Sequence, residues 1–135
     1  MTTRILAPLL ALGLGLALPP ALCQAETVHL LRAIQHTRAA IQAGNADNLP
    51  ELLEQAALAH QEADASDAAA HNVVVENGEI MLEKALEKAR QGKIIISVVY
   101  ARDALINLER AAAGLDLVVD PPAKSTAPKG PSKSR

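Results

Sequence analysis

The chain has 135 residues, a formal net charge of −2, four histidines and one cysteine. That length supports one domain with a modest core. A mildly acidic chain whose single aromatic residue is Tyr100 has neither the basic stripe and stacking platforms of a nucleic-acid binder nor aromatic walls for a large ligand.

The N-terminus reads as an export signal. Arg4 precedes the apolar run Ile5–Leu18, then Pro19-Pro20 and a cleavage position after Ala25, with Cys23 and Ala25 at the small-residue sites. The run is too short for a membrane-spanning helix. A lipoprotein cut before Cys23 fits poorly, because Leu22 and Pro20 suit a lipobox badly. Cleavage after Ala25 leaves 110 residues without cysteine, so no disulfide forms in the periplasmic or secreted product. The expected parts are a signal peptide over 1–25, a helical domain over 26–119 and a basic tail over 120–135. The domain holds 14 acidic and 8 basic residues, the tail one acid and four bases. Four prolines and alternating Lys and Ser predict disorder in that tail.

Four helices follow in chain order. The first is predicted over Glu26–Ala43, ended by Gly44, with Leu30, Ile34 and Ile41 on one side and His29, Ala33, His36 and Ala40 beside them. The second starts at Asn48-Leu49-Pro50-Glu51, a capping-box-like start with proline in the first turn, and carries Leu52, Ala56, Ala59 and Ala63 inward. The third is clearest over Glu79–Gln91 and closes on Gly92, with Leu82, Leu86 and Ala89 inward. Between them, Val73-Val74-Val75 either extends the third helix or forms a packed connection.

The fourth has the clearest period, with Ile94, Val98, Ala101, Leu105, Leu108 and Ala112 before Gly114. Its β-branched start, Ile94-Ile95-Ile96 and Val98-Val99, favours strand by propensity, but the helical spacing continues unbroken past Asp103 and Glu109. Short breaks at 44–48 and 92–93 predict antiparallel neighbours, hence an all-α, up-down four-helix bundle, expected to be monomeric.

The candidate chemistry lies with the histidines. His29 and His36 share a helix face but stand about 10.5 Å apart along it, too far for easy chelation of one ion, with the Arg32 cation between them. His60/Asp64 and Asp67/His71 are i,i+4 pairs that bring a nitrogen and an oxygen together if helical. Counting outward from an Ala46/Asp47 turn sets His29 level with Asp64 and near His60. Neutral imidazole with carboxylate suits copper, nickel or zinc, Cu(II) foremost by the Irving–Williams order. The candidate metal ligands are therefore His29, His36, His60, Asp64, Asp67 and His71. The residues alone favour a structural reading in which His29, His36 and His60 are solvated residues flanking the bundle seam and the acids an ordinary polar face.

Enzymatic chemistry finds little support, and none is expected. There is no HExxH pair and no glycine-rich phosphate loop, and Ser97 has no histidine nearby in sequence. Glu26-x-x-His29 is one half of a di-iron signature without its second copy, and Glu79, Glu83 and Glu87 form only an acidic stripe. Met81 reads as a gap-filler rather than a copper ligand, and Tyr100 as a bundle-edge residue.

The segments His29–Gln42, Leu52-Leu53-Glu54, Met81–Lys88 and Tyr100–Leu108 resemble the small metal-binding protein (SmbP-like) family. Its members are exported bacterial four-helix bundles with seven-residue, histidine-bearing repeats that bind copper, nickel and zinc. The resemblance covers nearly the whole domain and implies a divalent-metal function. It matches His29 and His36 to repeat histidines. It marks further histidine positions occupied here by Ala43, Gln55, Met81, Lys88, Lys93, Tyr100 and Asn107. That depletion implies weak binding at few sites. The alternative is a non-metal periplasmic structural or interaction protein on the same bundle, its basic tail held to an anionic envelope surface.

Overall fold

The computed structural model describes residues 21–115 and Leu117. The n-region and apolar run of the expected signal, and the tail 120–135, lie outside those residues. Four helices fill the described chain: α1 Ala21–Asn45, α2 Leu49–Ala69, α3 Val73–Arg90 and α4 Ile94–Gly114. Each packs on its two neighbours in a closed ring, α1 on α2 and α4, α3 on α2 and α4, giving the four-helix bundle. Among the described residues there is no strand, and no helix is long and apolar enough to cross a membrane.

Local chemistry sets the helix ends. At the start of α2, the Asn48 side chain accepts the Glu51 N–H at 3.3 Å, and Pro50 sits in the first turn, where no intrahelical donor is needed. At the start of α3, the Asn72 side chain accepts the Val74 N–H at 2.9 Å. That cap settles the middle segment: α2 persists to Ala69, and Val73–Val75 belong to α3. The α3 end is a Schellman turn in which Gly92, at φ 72°, donates to Ala89 and Lys93 donates to Lys88.

The α1 end departs from expectation. Gly44 lies inside the helix, and Asp47 takes the left-handed position at φ 57°, its N–H bonded to Gly44 O and that of Asn48 to Ala43 O. Gly44 serves contact instead: a Cβ there would collide with the Val98 side chain of α4. Gly78 plays the same part against Leu108, with 3.0 Å to its side chain.

The core follows the predicted stripes. Leu30, Ile34, Ala63, Val75, Leu82 and Leu108 fill one half, and Leu52, Ala56, Leu86 and Ala89 the other. Across the whole buried set alanine is the commonest residue, so the helices approach closely while each buries little area. Two buried hydroxyls tie helices across: Ser66 Oγ donates to Glu26 O at 3.2 Å and Ser97 Oγ to Ala85 O at 2.8 Å. The buried residues whose side chains are described run from Glu26 to Ala112. Ile41, placed inward by its period, is only half-buried, on the α1–α4 groove beside Leu105.

Candidate functional site

The histidines divide among separate pairs along the seams. On the α1–α2 seam, His29 Nδ1 is 2.6 Å from Glu62 Oε2, and His36 Nδ1 is 2.9 Å from Gln55 Oε1. Both rings are half-buried. A carboxylate and an amide oxygen both accept, so Nδ1 is the donating nitrogen in each ring and Nε2 is the nitrogen left for another partner. This is how metal-binding imidazoles are oriented from behind. Arg32 Nη1 reaches Glu62 Oε1 at 3.9 Å, so the guanidinium stands at the His29 pair and opposes a cation there, not at His36.

His60 turns to the other seam of α2. Its Nε2 lies 3.7 Å from Glu79 Oε1 on α3, beyond hydrogen-bond length. A metal joining a nitrogen and an oxygen at ordinary bond lengths holds them roughly 3 Å apart, so a small side-chain movement admits an ion between these two. Burial pushes the Glu79 carboxyl up; His60 opposes the shift, and the charges of Asp64, Asp67 and Glu76 add to it. Burial is the largest cause, with the neighbouring carboxylates where α2 meets α3 adding to it.

The last pair closes the α2–α3 turn. His71 Nδ1 meets Asp67 Oδ2 at 3.2 Å, while Asp67 Oδ1 accepts the Asn72 N–H at 2.8 Å. The hydrogen bond and charge of Asp67 raise the His71 pKa above 6.5. Burial pulls the Asp67 carboxyl upward, but the Asn72 N–H and His71 outweigh it and hold it below 3.8. Its raised pKa makes His71 a poorer metal ligand than an unshifted imidazole.

Measured against the six candidate ligands, the structure brings Asp67 and His71 together and keeps the rest apart. His29 faces Glu62 rather than Asp64 or His60, because the α1–α2 pairs are centred between Asn45 and Ala46, one residue before the assumed turn. Asp64 is exposed and influences Glu79 by charge alone. Glu62 and Glu79 are the carboxylates that sequence reasoning missed as partners. The available signal was a half-turn offset in register for Glu62 and the carboxylate stripe of α3 for Glu79. Among the described residues, no group of three or more His, Cys, Asp or Glu side chains is arranged to hold a metal ion. No family model matches the chain, and no curated protein matches it.

Proposed function

We propose that this chain is an exported helical bundle that binds or buffers divalent transition metal weakly, at single histidine–carboxylate pairs rather than in a closed chelate. The carrying observation is the approach of His60 Nε2 to Glu79 Oε1 at 3.7 Å, with the carboxylates of Asp64, Asp67 and Glu76 near enough to act on Glu79. Two protein donors with water completing the shell make a labile site, suited to buffering more than to permanent occupancy. His29, His36 and their acceptors offer single imidazole nitrogens as weaker additional positions. Copper(II) leads nickel(II) and zinc(II) at such nitrogen–oxygen sites. The likeness of the seven-residue frame to the small metal-binding proteins supports the same reading.

Calorimetric titration of the chain from Glu26 onward with copper(II) is the test. Saturable binding at neutral pH is expected, weakening as pH falls through about 6.5, where an ordinary imidazole protonates. Glu79→Gln and His60→Ala should each weaken the tightest site, and His71→Ala should not. Absence of saturable binding would reject the metal function in favour of a structural or interaction role for the bundle. Binding indifferent to both substitutions would reject the His60–Glu79 placement.

A further inference from the structure

The exposed face of α4 carries more apolar surface than the other helices leave uncovered. Ile95 is 83% exposed, Val99 50% and Ile106 54%, with Ile96 beside them at 46%. Ile95, Val99, Arg102, Ile106, Glu109 and Ala113 alternate in steps of four and three, the spacing of a seam between two helices. The core does not need these residues, since Ser97, Val98, Ala101, Ala104 and Leu108 already fill the inward face. A shallow groove between α4 and the end of α1, lined by Gly44, Asn45, Ile95, Val98 and Val99, continues the same surface.

Arg102 and Asp103 set two opposite charges side by side at the middle of this face, while Glu109 is taken by Arg38 at 2.7 Å. Set antiparallel to a copy of itself about a twofold axis between Arg102 and Asp103, α4 places each Arg102 beside the other copy's Asp103. The same register sets Val99 against Ile106 and lays the Arg110 stem over Ile95. Both central pairs are of opposite sign, and apolar contacts flank them on either side. Among the described residues neither Asp103 nor Arg110 has an ion-pair partner within its own chain, and Arg102 makes only a 3.3 Å hydrogen bond to Asn45.

We propose that this face is a homodimer interface, an antiparallel α4–α4 pair in the register just given. It replaces the expectation of a monomer and is independent of the metal function, whose histidines lie on α1, α2 and the α2–α3 turn. From Ile95 to Arg110 the contact runs about 22 Å along one helix. One helix pair in contact over that length buries less than the roughly 1,600 Å² of a standard interface, so the dimer is weak and concentration-dependent.

Sedimentation velocity of the chain from Glu26, with a chelator present to exclude metal bridging, tests it. Mass should rise from one toward two chains between about 10 μM and about 1 mM, the range where a small interface responds. Ile106→Glu should hold the chain monomeric throughout, and Arg102→Asp or Asp103→Arg alone should weaken the dimer at least tenfold. The doubly reversed chain, Arg102→Asp with Asp103→Arg, should recover it, because the two opposite-sign pairs re-form with signs exchanged. These positions are exposed, so helical circular dichroism and melting of each variant should match the parent. A monomer at about 1 mM overturns the proposal. So does a dimer indifferent to Ile106→Glu, or single reversals that the double reversal does not rescue.

Discussion

Where α1 meets α2, positions 36 and 55 hold an imidazole and an amide in contact at 2.9 Å, and His29 rests on Glu62 nearby. In the hairpin of α3 and α4, the equivalent meeting is of cations with a phenol. Lys84 Nζ lies 5.9 Å from the Tyr100 ring centre, and Lys88, held above its usual pKa by the hydrogen bond to Glu87, also feels Tyr100. Both hairpins are tied by a buried serine and closed by a left-handed turn. Their backbones solve one packing problem in one way, while their surfaces differ in carrying imidazoles on one seam and ammonium groups on the other. Bundle geometry and ligand chemistry are therefore separable here. Buried alanines and leucines set the first, and half-buried seam positions, which tolerate many residue types, set the second.

The sharpest way to exploit that contrast is Gln55→His. It puts a second imidazole against His36 on the α1–α2 seam, and under the proposed metal function copper(II) affinity should rise at least tenfold, about 1.4 kcal/mol. Lys88→His should give no comparable gain, because Lys84 and Tyr100 remain beside it. Titration calorimetry of both variants decides the matter. Equal gains would mean that the hairpins do not differ in ligand chemistry; no gain from Gln55→His would mean that the seam cannot close around an ion.

Much of the fold was legible because periodicity and caps agree. The inward stripe Leu52, Ala56, Ala59 and Ala63 is buried throughout, and the Asn48 cap forms as its sequence announces. The α4 helix also overrides the strand preference of its β-branched start, since burying Val98, Ala101 and Leu108 requires the helical spacing. Gly44 was misjudged because a glycine can end a helix or admit a neighbouring side chain, and only tertiary packing against Val98 tells the two apart. The α3 start was obscured by the β-branched run behind Asn72, whose side chain supplies the decisive hydrogen bond. Partner identity was the least legible part. A shift of one residue in the turn centre exchanges Asp64 for Glu62 opposite His29, and nothing in a single helix reveals that His60 looks to α3.

The two turns provide a comparison of intermediate size. Gly92 occupies the left-handed position that Asp47 holds in the other hairpin. Replacing Gly92 by alanine should cost about 1 kcal/mol, because a Cβ is strained there even with open space around it. Asp47→Gly should stabilise by less than about 1 kcal/mol, since relief of strain is partly offset by a more flexible unfolded chain. Urea melts of the two variants should therefore move in opposite directions. Movement in the same direction would show that the Asp47 side chain, not its backbone, governs the first turn.

The smallest expected effect belongs to the Asp67–His71 pair, which closes the α2–α3 turn and links the two hairpins. His71 has its pKa raised in the folded protein, so its contribution is complete below about pH 6.5 and is lost as pH rises through the folded value. Asp67 is shifted the other way: its contribution is complete above about pH 4 and is lost as pH falls through its lowered value. Together they stabilise most between those limits. The exposure of His71 and screening by salt keep the effect small. Melting temperatures of the parent and His71→Gln, compared at low ionic strength, should differ most near pH 5 to 6 and converge above pH 8. The Asn72 cap, held by its own side chain and by Asp67 Oδ1, persists in that variant, so α3 should keep its start and only the titrating part should vanish. A difference between parent and variant that grows toward alkaline pH would contradict the sign derived from the His71 shift.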